Sequence, residues 1–144
     1  MSATPSPSTP TTAAMSADAR VAIVTGASRG IGAAIAQRLA RDGLRVVVNY
    51  AGRAADAQAV VQGIAEAGGH AVAVQADVAD SQAVQRLFDS AEQAFGRIDV
   101  LVNNAGVMPS TTPHLVDTDD ATFDRLMAIN LKGSFNTLRE AARR

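Results

Sequence analysis

The sequence predicts an α/β fold in which a doubly wound parallel sheet is covered by helices on both faces. Two observations carry that expectation. Four short apolar runs, at residues 21–24, 46–48, 72–74 and 100–102, alternate with alanine-rich segments at residues 31–41, 54–67 and 81–95. Each run is apolar throughout rather than at every second residue, the pattern of a strand buried on both sides. The second observation is the segment Thr25-Gly26-Ala27-Ser28-Arg29-Gly30-Ile31-Gly32, between the first apolar run and a helical segment opening at Ile31. Glycines at a strand-to-helix junction let the chain turn tightly. They also let backbone N–H groups approach a pyrophosphate at the positive end of the helix. Serial βα units imply right-handed crossovers, and the glycine-rich turn marks the first strand as the one beneath the ligand. The strand order is then 3-2-1-4, a Rossmann-type arrangement.

The elements follow in order. Val21-Ala22-Ile23-Val24 forms the first strand, and the first helix runs to Arg41 before Gly43. The second and third strands are the valine-rich runs at 46–48 and 72–74, with a helix between them that ends before Gly68-Gly69. The third helix shows the clearest period, with Val84, Leu87, Phe88, Ala91, Ala94 and Phe95 on one stripe. Asp80 and Ser81 supply capping chemistry at its start, and Gly96 falls just past its end, where a positive φ is often needed. A loop from Asn104 to about Asp117 follows the fourth strand and carries Pro109 and Pro113. The last helix runs from about Asp119 onward.

A length of 144 residues suits one domain, expected over residues 19–144 and preceded by a tail over 1–18. Residues 2–14 contain only Ser, Thr, Pro and Ala, so they bury too little apolar surface to offset their ordering entropy and are expected to be disordered. They lack the basic and apolar regions of a secretory signal, and the first arginine is Arg20; Met15 is an alternative start. Thirteen basic and 14 acidic residues leave a net charge of −1, which gives no reason to expect nucleic acid or an anionic membrane as a partner. Without cysteine there is no disulfide, thiolate metal site or cysteine nucleophile. His70 and His114 are too far apart to suggest a metal site. No apolar run approaches the ~20 residues of a membrane span, and a cytoplasmic protein is expected.

Several positions carry chemistry. The spacing of Gly26, Gly30 and Gly32 departs from G-x-G-x-x-G, and no Lys-Ser/Thr follows to make a P-loop. Asp77-Val78 follows the third strand, where a carboxylate facing the ligand crevice accepts from an exocyclic amine; a loop or cap aspartate is the plainer alternative. Asn103-Asn104-Ala105-Gly106 ends the fourth strand. Its small residues let backbone lie against a flat ring, and its amides can satisfy loop groups. Asn130 shares a helical face with Phe123, Leu126, Met127, Ser134 and Leu138 at spacings of three and four. An amide on an apolar face needs partners, and satisfaction by backbone is the plainer alternative. Lys132 points elsewhere and reads as a solvated charge. An NAD-preferring site wants an acid about 20 residues past the glycine turn, yet no Asp or Glu occurs between Gly43 and Ala55. Arg29 in the glycine loop, with Ser28 and the neutral Asn49, instead suits a 2′-phosphate. Arg53 is either a second cation or a solvated one. NADP(H) is therefore favoured over NAD(H).

Taken together, Thr-Gly-x-x-x-Gly-x-Gly, Asp77, Asn103-Asn104-Ala105-Gly106 and Asn130 resemble the short-chain dehydrogenases/reductases, and the resemblance runs from Arg20 to the last residue. It implies that Gly26, Ser28, Arg29, Gly30, Ile31, Gly32, Asn49, Tyr50, Asp77, Val78, Asn103, Ala105 and Gly106 bind a nicotinamide dinucleotide. In that family the aspartate meets the adenine amino group, the Asn-Asn-Ala-Gly segment steadies the sheet and lines the adenosine site, and an active-site asparagine, here Asn130, helps hold a water in the proton relay. The resemblance leans toward 3-ketoacyl reductase-like members. It implies an oxidoreductase acting on a small carbonyl or alcohol substrate, and a homo-oligomer for a full-length form.

The family's proton transfer uses a serine on the fifth strand and a Tyr-x-x-x-Lys pair on the next helix. These carry over to no residue, since Tyr50 is the one tyrosine and Lys132 the one lysine. The 144 residues are thus expected to form a truncated, incomplete cofactor portion without catalysis of its own. A non-catalytic dinucleotide-binding module is the alternative, although it has little use for Asn130. A methyltransferase-type fold would want an acid at the end of the second strand, and none is there.

Overall fold

The computed structural model describes residues 18–111 and 113–144; of the tail expected over residues 1–18, residues 1–17 lie outside them. Four parallel strands, β1 (Val21–Val24), β2 (Arg45–Tyr50), β3 (His70–Gln75) and β4 (Val100–Val102), pair in the order β3-β2-β1-β4. Helices α1 (Gly30–Arg41), α2 (Ala54–Glu66) and α3 (Ser81–Phe95) connect them. After β4 come a 3₁₀ turn (Leu115–Asp117), α4 (Asp120–Leu126), a π-helical stretch (Met127–Lys132) and α5 (Gly133–Ala141). The strand order is the one the sequence predicts.

Alternation along the strands builds two cores. Val24, Val46 and Val48 pack with Ala33, Ala36 and Ala40 of α1 and with Val60 and Ile64 of α2. Ile23 and Val47 point to the other face, where Val84, Leu87, Phe88 and Ala91 of α3 cover them. Of the stripe predicted for α3, Val84, Leu87, Phe88 and Ala91 are buried and Phe95 half-buried, whereas Ala94 is exposed in the last turn. Asp80 caps that helix by accepting from Gln82 N–H at 2.8 Å, and Gly96 closes it in the left-handed region at φ +80°. β1 and most of β2 are fully buried, whereas β3 and β4 are largely half-buried because they form the two edges of this sheet.

β2 and β3 each extend past their valine runs, since the ladder pairs Arg45 with His70 and Tyr50 with Gln75 whatever their polarity. The last helix also departs from the simple expectation. Asp119 caps it, accepting from Thr122 N–H at 2.7 Å, but the turn at Met127–Lys132 is π-helical. That change of pitch alters which residues share a face. Phe123, Met127, Leu131, Phe135 and Leu138 are left exposed, and Asn130 is exposed with them rather than set in a packed apolar face. Among the described residues no helix is long and apolar enough to cross a membrane.

Candidate dinucleotide site

The carboxyl ends of all four strands meet around the glycine turn, and two asparagines lace them together. Asn49 is 1% exposed. Its Oδ1 accepts from Gly26 N–H at 3.2 Å, and its Nδ2 donates to the carbonyls of Val74 and Ala76 at 3.3 and 3.1 Å. One side chain thus ties β1, β2 and β3. Asn104 does the same on the other side, donating from Nδ2 to the carbonyls of Thr25 and Gly26, each at 3.0 Å. Thr25 completes the lacing: its buried hydroxyl oxygen accepts from Asn104 N–H and Ala105 N–H, each at 3.0 Å.

This lacing explains the glycines. Gly26 has φ +61°, and a Cβ there would lie 2.8 Å from Ala105 Cα. At Gly32 a Cβ would stand 2.5 Å from Asn104 Nδ2 and 2.9 Å from Ala27 Cα. The turn is therefore pressed against the β4 loop, and its Gly26 and Ala27 N–H groups are held by Asn49, through Oδ1 at 3.2 Å and the backbone carbonyl at 2.8 Å.

Beside the turn is a cleft of about 580 Å³. Of the predicted residues it gathers Gly26, Ser28, Arg29, Asn49, Tyr50, Asp77, Val78, Ala105 and Gly106. Gly30, Ile31, Gly32 and Asn103 do not line it. Ile31 is exposed on α1, Gly32 is buried beneath the turn, and Asn103 turns toward α5, accepting from Thr137 Oγ1 at 2.6 Å. Asn49 contributes shape rather than a free polar group, because its amide is bound to backbone. Asp77 divides its carboxylate: Oδ1 accepts from Ala79 N–H at 2.9 Å, and the side chain remains exposed at the cleft.

The cleft also holds residues that sequence reasoning underweighted or missed. Arg53 lines it while pairing with Asp56 at 3.2 Å. Arg125 and Ile129, from α4 and the π-helical stretch, form part of its wall. The available signal was their four-residue spacing just before Asn130, which puts two side chains on one side of a helix. Asn130 itself stands outside the cleft lining. Its Oδ1 accepts from Val107 N–H at 2.7 Å, and its Nδ2 donates to Val107 O at 2.8 Å, so its amide clamps the backbone of the loop after β4. Arg125 also borders a separate hollow of about 370 Å³ beneath that loop. Among the described residues no cluster of His, Asp and Glu could hold a metal ion.

A glycine-rich turn at the head of a helix, a carboxylate and arginines share one strand-end cleft, the place where doubly wound α/β proteins bind dinucleotides. Comparison with known proteins carries this further. Residues 20–144 match the short chain dehydrogenase family, and the chain belongs to that family. It is 49% identical over 88% of its length to the short chain dehydrogenase claC of Passalora fulva, covering 46% of that protein, and 45% identical over 88% to versicolorin reductase stcU of Emericella nidulans, covering 47%. Among solved structures, a dehydrogenase/reductase from Sinorhizobium meliloti 1021 aligns with a TM-score of 0.82 at 45% identity, over 86% of this chain and 48% of that one. A short chain dehydrogenase from Burkholderia cenocepacia J2315, solved in complex with NADP, aligns with a TM-score of 0.80 at 45% identity, over 86% of this chain and 50% of that one. The chain spans about half the length of the relatives it matches.

Proposed function

We propose that this chain forms the dinucleotide-binding part of an NADP(H)-dependent oxidoreductase that interconverts a small carbonyl compound and an alcohol. The observation that carries the reading is the charge of the cleft. Arg29 and Arg53 line it together with the end of β2, and Asp77 is the one carboxylate among its lining residues. A 2′-phosphate carries −1.5 to −2 charges near neutral pH and is matched there by two guanidiniums. The NADP complex of the Burkholderia relative and the reductase named from Emericella agree with this reading.

Each group in the cleft has a role on this account. The glycine turn offers its N–H groups and the helix dipole of α1 to the pyrophosphate. Ser28 and Arg29 take the 2′-phosphate with Arg53. Asp77 accepts from the adenine amine, while Tyr50, Val78, Ala105 and Gly106 enclose the adenosine. When bound, the cofactor supplies the hydride. Asn130 acts by holding the Val107 backbone, and so fixes the loop beside the cleft.

A second reading, a dinucleotide-binding module without catalysis, draws on the same asparagine, whose amide is wholly engaged with backbone. Titration of the 144-residue polypeptide with NADPH and NADH, in the wild type and in Arg29→Ala, tests the cofactor assignment. Tighter binding of NADPH is expected, with a loss of about 1.5–3 kcal/mol for NADPH alone in the variant, as for a charge-assisted hydrogen bond. Equal affinities for the two cofactors in the wild type would remove the basis for it.

A further inference from the structure

Three arginines line the cleft, and the proposed function uses two of them. The third is Arg125, whose exposed side chain makes no hydrogen bond or ion pair among the described residues, whereas Arg53 is paired with Asp56. A guanidinium facing a concave surface suits either an anion or the face of a flat π system. Its surroundings choose between the two. Ile129, on the same wall, packs with Val78 and Ala105 against the α3 side of the sheet. The helix is pressed onto this loop, since a Cβ at Gly133 would stand 2.6 Å from Val78 Cγ2 and Asn136 Nδ2 donates to Val78 O at 2.9 Å. Beside Val78 stands Asp77, an acceptor. An apolar wall of Val78, Ala105 and Ile129 with the Asp77 carboxylate at its edge fits an aminated purine, and a carboxylate there repels a phosphate.

We propose that Arg125 lays its guanidinium over the purine ring of the bound dinucleotide, as a binding residue that acts independently of the 2′-phosphate. The inference rests on the dinucleotide reading above. It adds a separate contact, with consequences opposite to those of Arg29. Arg29 should discriminate between the two cofactors, and Arg125 should strengthen both alike.

The test is calorimetric titration of the 144-residue chain with 5′-AMP, NADH and NADPH. The variants are Arg125→Met, Arg125→Lys and Arg29→Ala, each checked for an unchanged unfolding midpoint. Arg125→Met is expected to weaken all three ligands alike, by about 2- to 30-fold, the span from an exposed to a desolvated cation–π contact. Arg125→Lys should recover little of this, because an ammonium lacks the plane. Unchanged affinities in Arg125→Met would overturn the inference, as would a loss confined to NADPH or full recovery by lysine. Failure of the wild type to bind any of the three ligands would overturn the dinucleotide reading itself, and the inference with it. Binding by the wild type with no effect at Arg125 would overturn the inference alone.

Discussion

Replacing Gly32 with alanine tests the lacing of the strand ends. In an open helix the change would be favourable by about 1 kcal/mol, because alanine is the better helix former. Here the new Cβ would stand 2.5 Å from Asn104 Nδ2 and 2.9 Å from Ala27 Cα, with the Gly26 carbonyl closer still. Two of these neighbours are backbone, so the turn itself must move. Asn104 then loses alignment with the Thr25 and Gly26 carbonyls, which it now meets at 3.0 Å. Each such hydrogen bond contributes about 1 kcal/mol, and overpacking adds about 1–3 kcal/mol. The net loss is expected to be about 2–4 kcal/mol, a large share of the stability of a single domain. Urea unfolding followed by circular dichroism measures it. Gly63→Ala is the control, because that glycine lies within α2 and a Cβ there meets nothing within 4 Å; a gain of about 0.5–1 kcal/mol is expected. Should Gly32→Ala be as stable as the wild type, the lacing would not constrain the turn and the reasoning would fail.

Two further outcomes follow from the same contacts. Thr25→Val keeps the shape but leaves the N–H groups of Asn104 and Ala105 without their acceptor; a loss of about 2–6 kcal/mol is expected in urea unfolding, from two unsatisfied donors at about 1–3 kcal/mol each. The Arg97 guanidinium, with help from Val21 N–H, holds the Asp99 carboxyl below its ordinary range. A depressed carboxyl stabilises the fold above its unfolded-state pKa, and this contribution is lost as the pH falls through the carboxylate range toward the folded value. Stability measured from pH 7 down to pH 3 should therefore fall more steeply in the wild type than in Asp99→Asn, and parallel curves would show that the pair contributes nothing.

Much of the fold was legible because its signals are local. Uniformly apolar strands, a glycine turn and helix-end glycines are each written within a few residues, and together they specify the strand order. The side-chain roles were harder to read. Asn49 invites assignment to a phosphate because it is polar and ends a strand. Strand alternation instead puts it on the same side as Val47, facing the α3 layer, where a buried amide must find backbone partners. Asn130 was placed by α-helical spacing, which a π-helical turn does not obey. Arg125 lies outside every motif, and its place in the cleft follows only from how the π-helical stretch after α4 and the start of α5 rest against Val78.

The central claim is that the strand-end cleft binds a dinucleotide with the glycine turn at its pyrophosphate. Amide chemical shifts of the ¹⁵N-labelled chain, followed during titration with NADPH, test this most directly. The account predicts saturable shifts at Gly26, Ser28, Arg29, Asp77, Ala105 and Gly106, with none at Gln37, Arg41 and Gly63, which line a separate hollow between α1 and α2. Shifts absent from the glycine turn, or clustered in that second hollow, would contradict it.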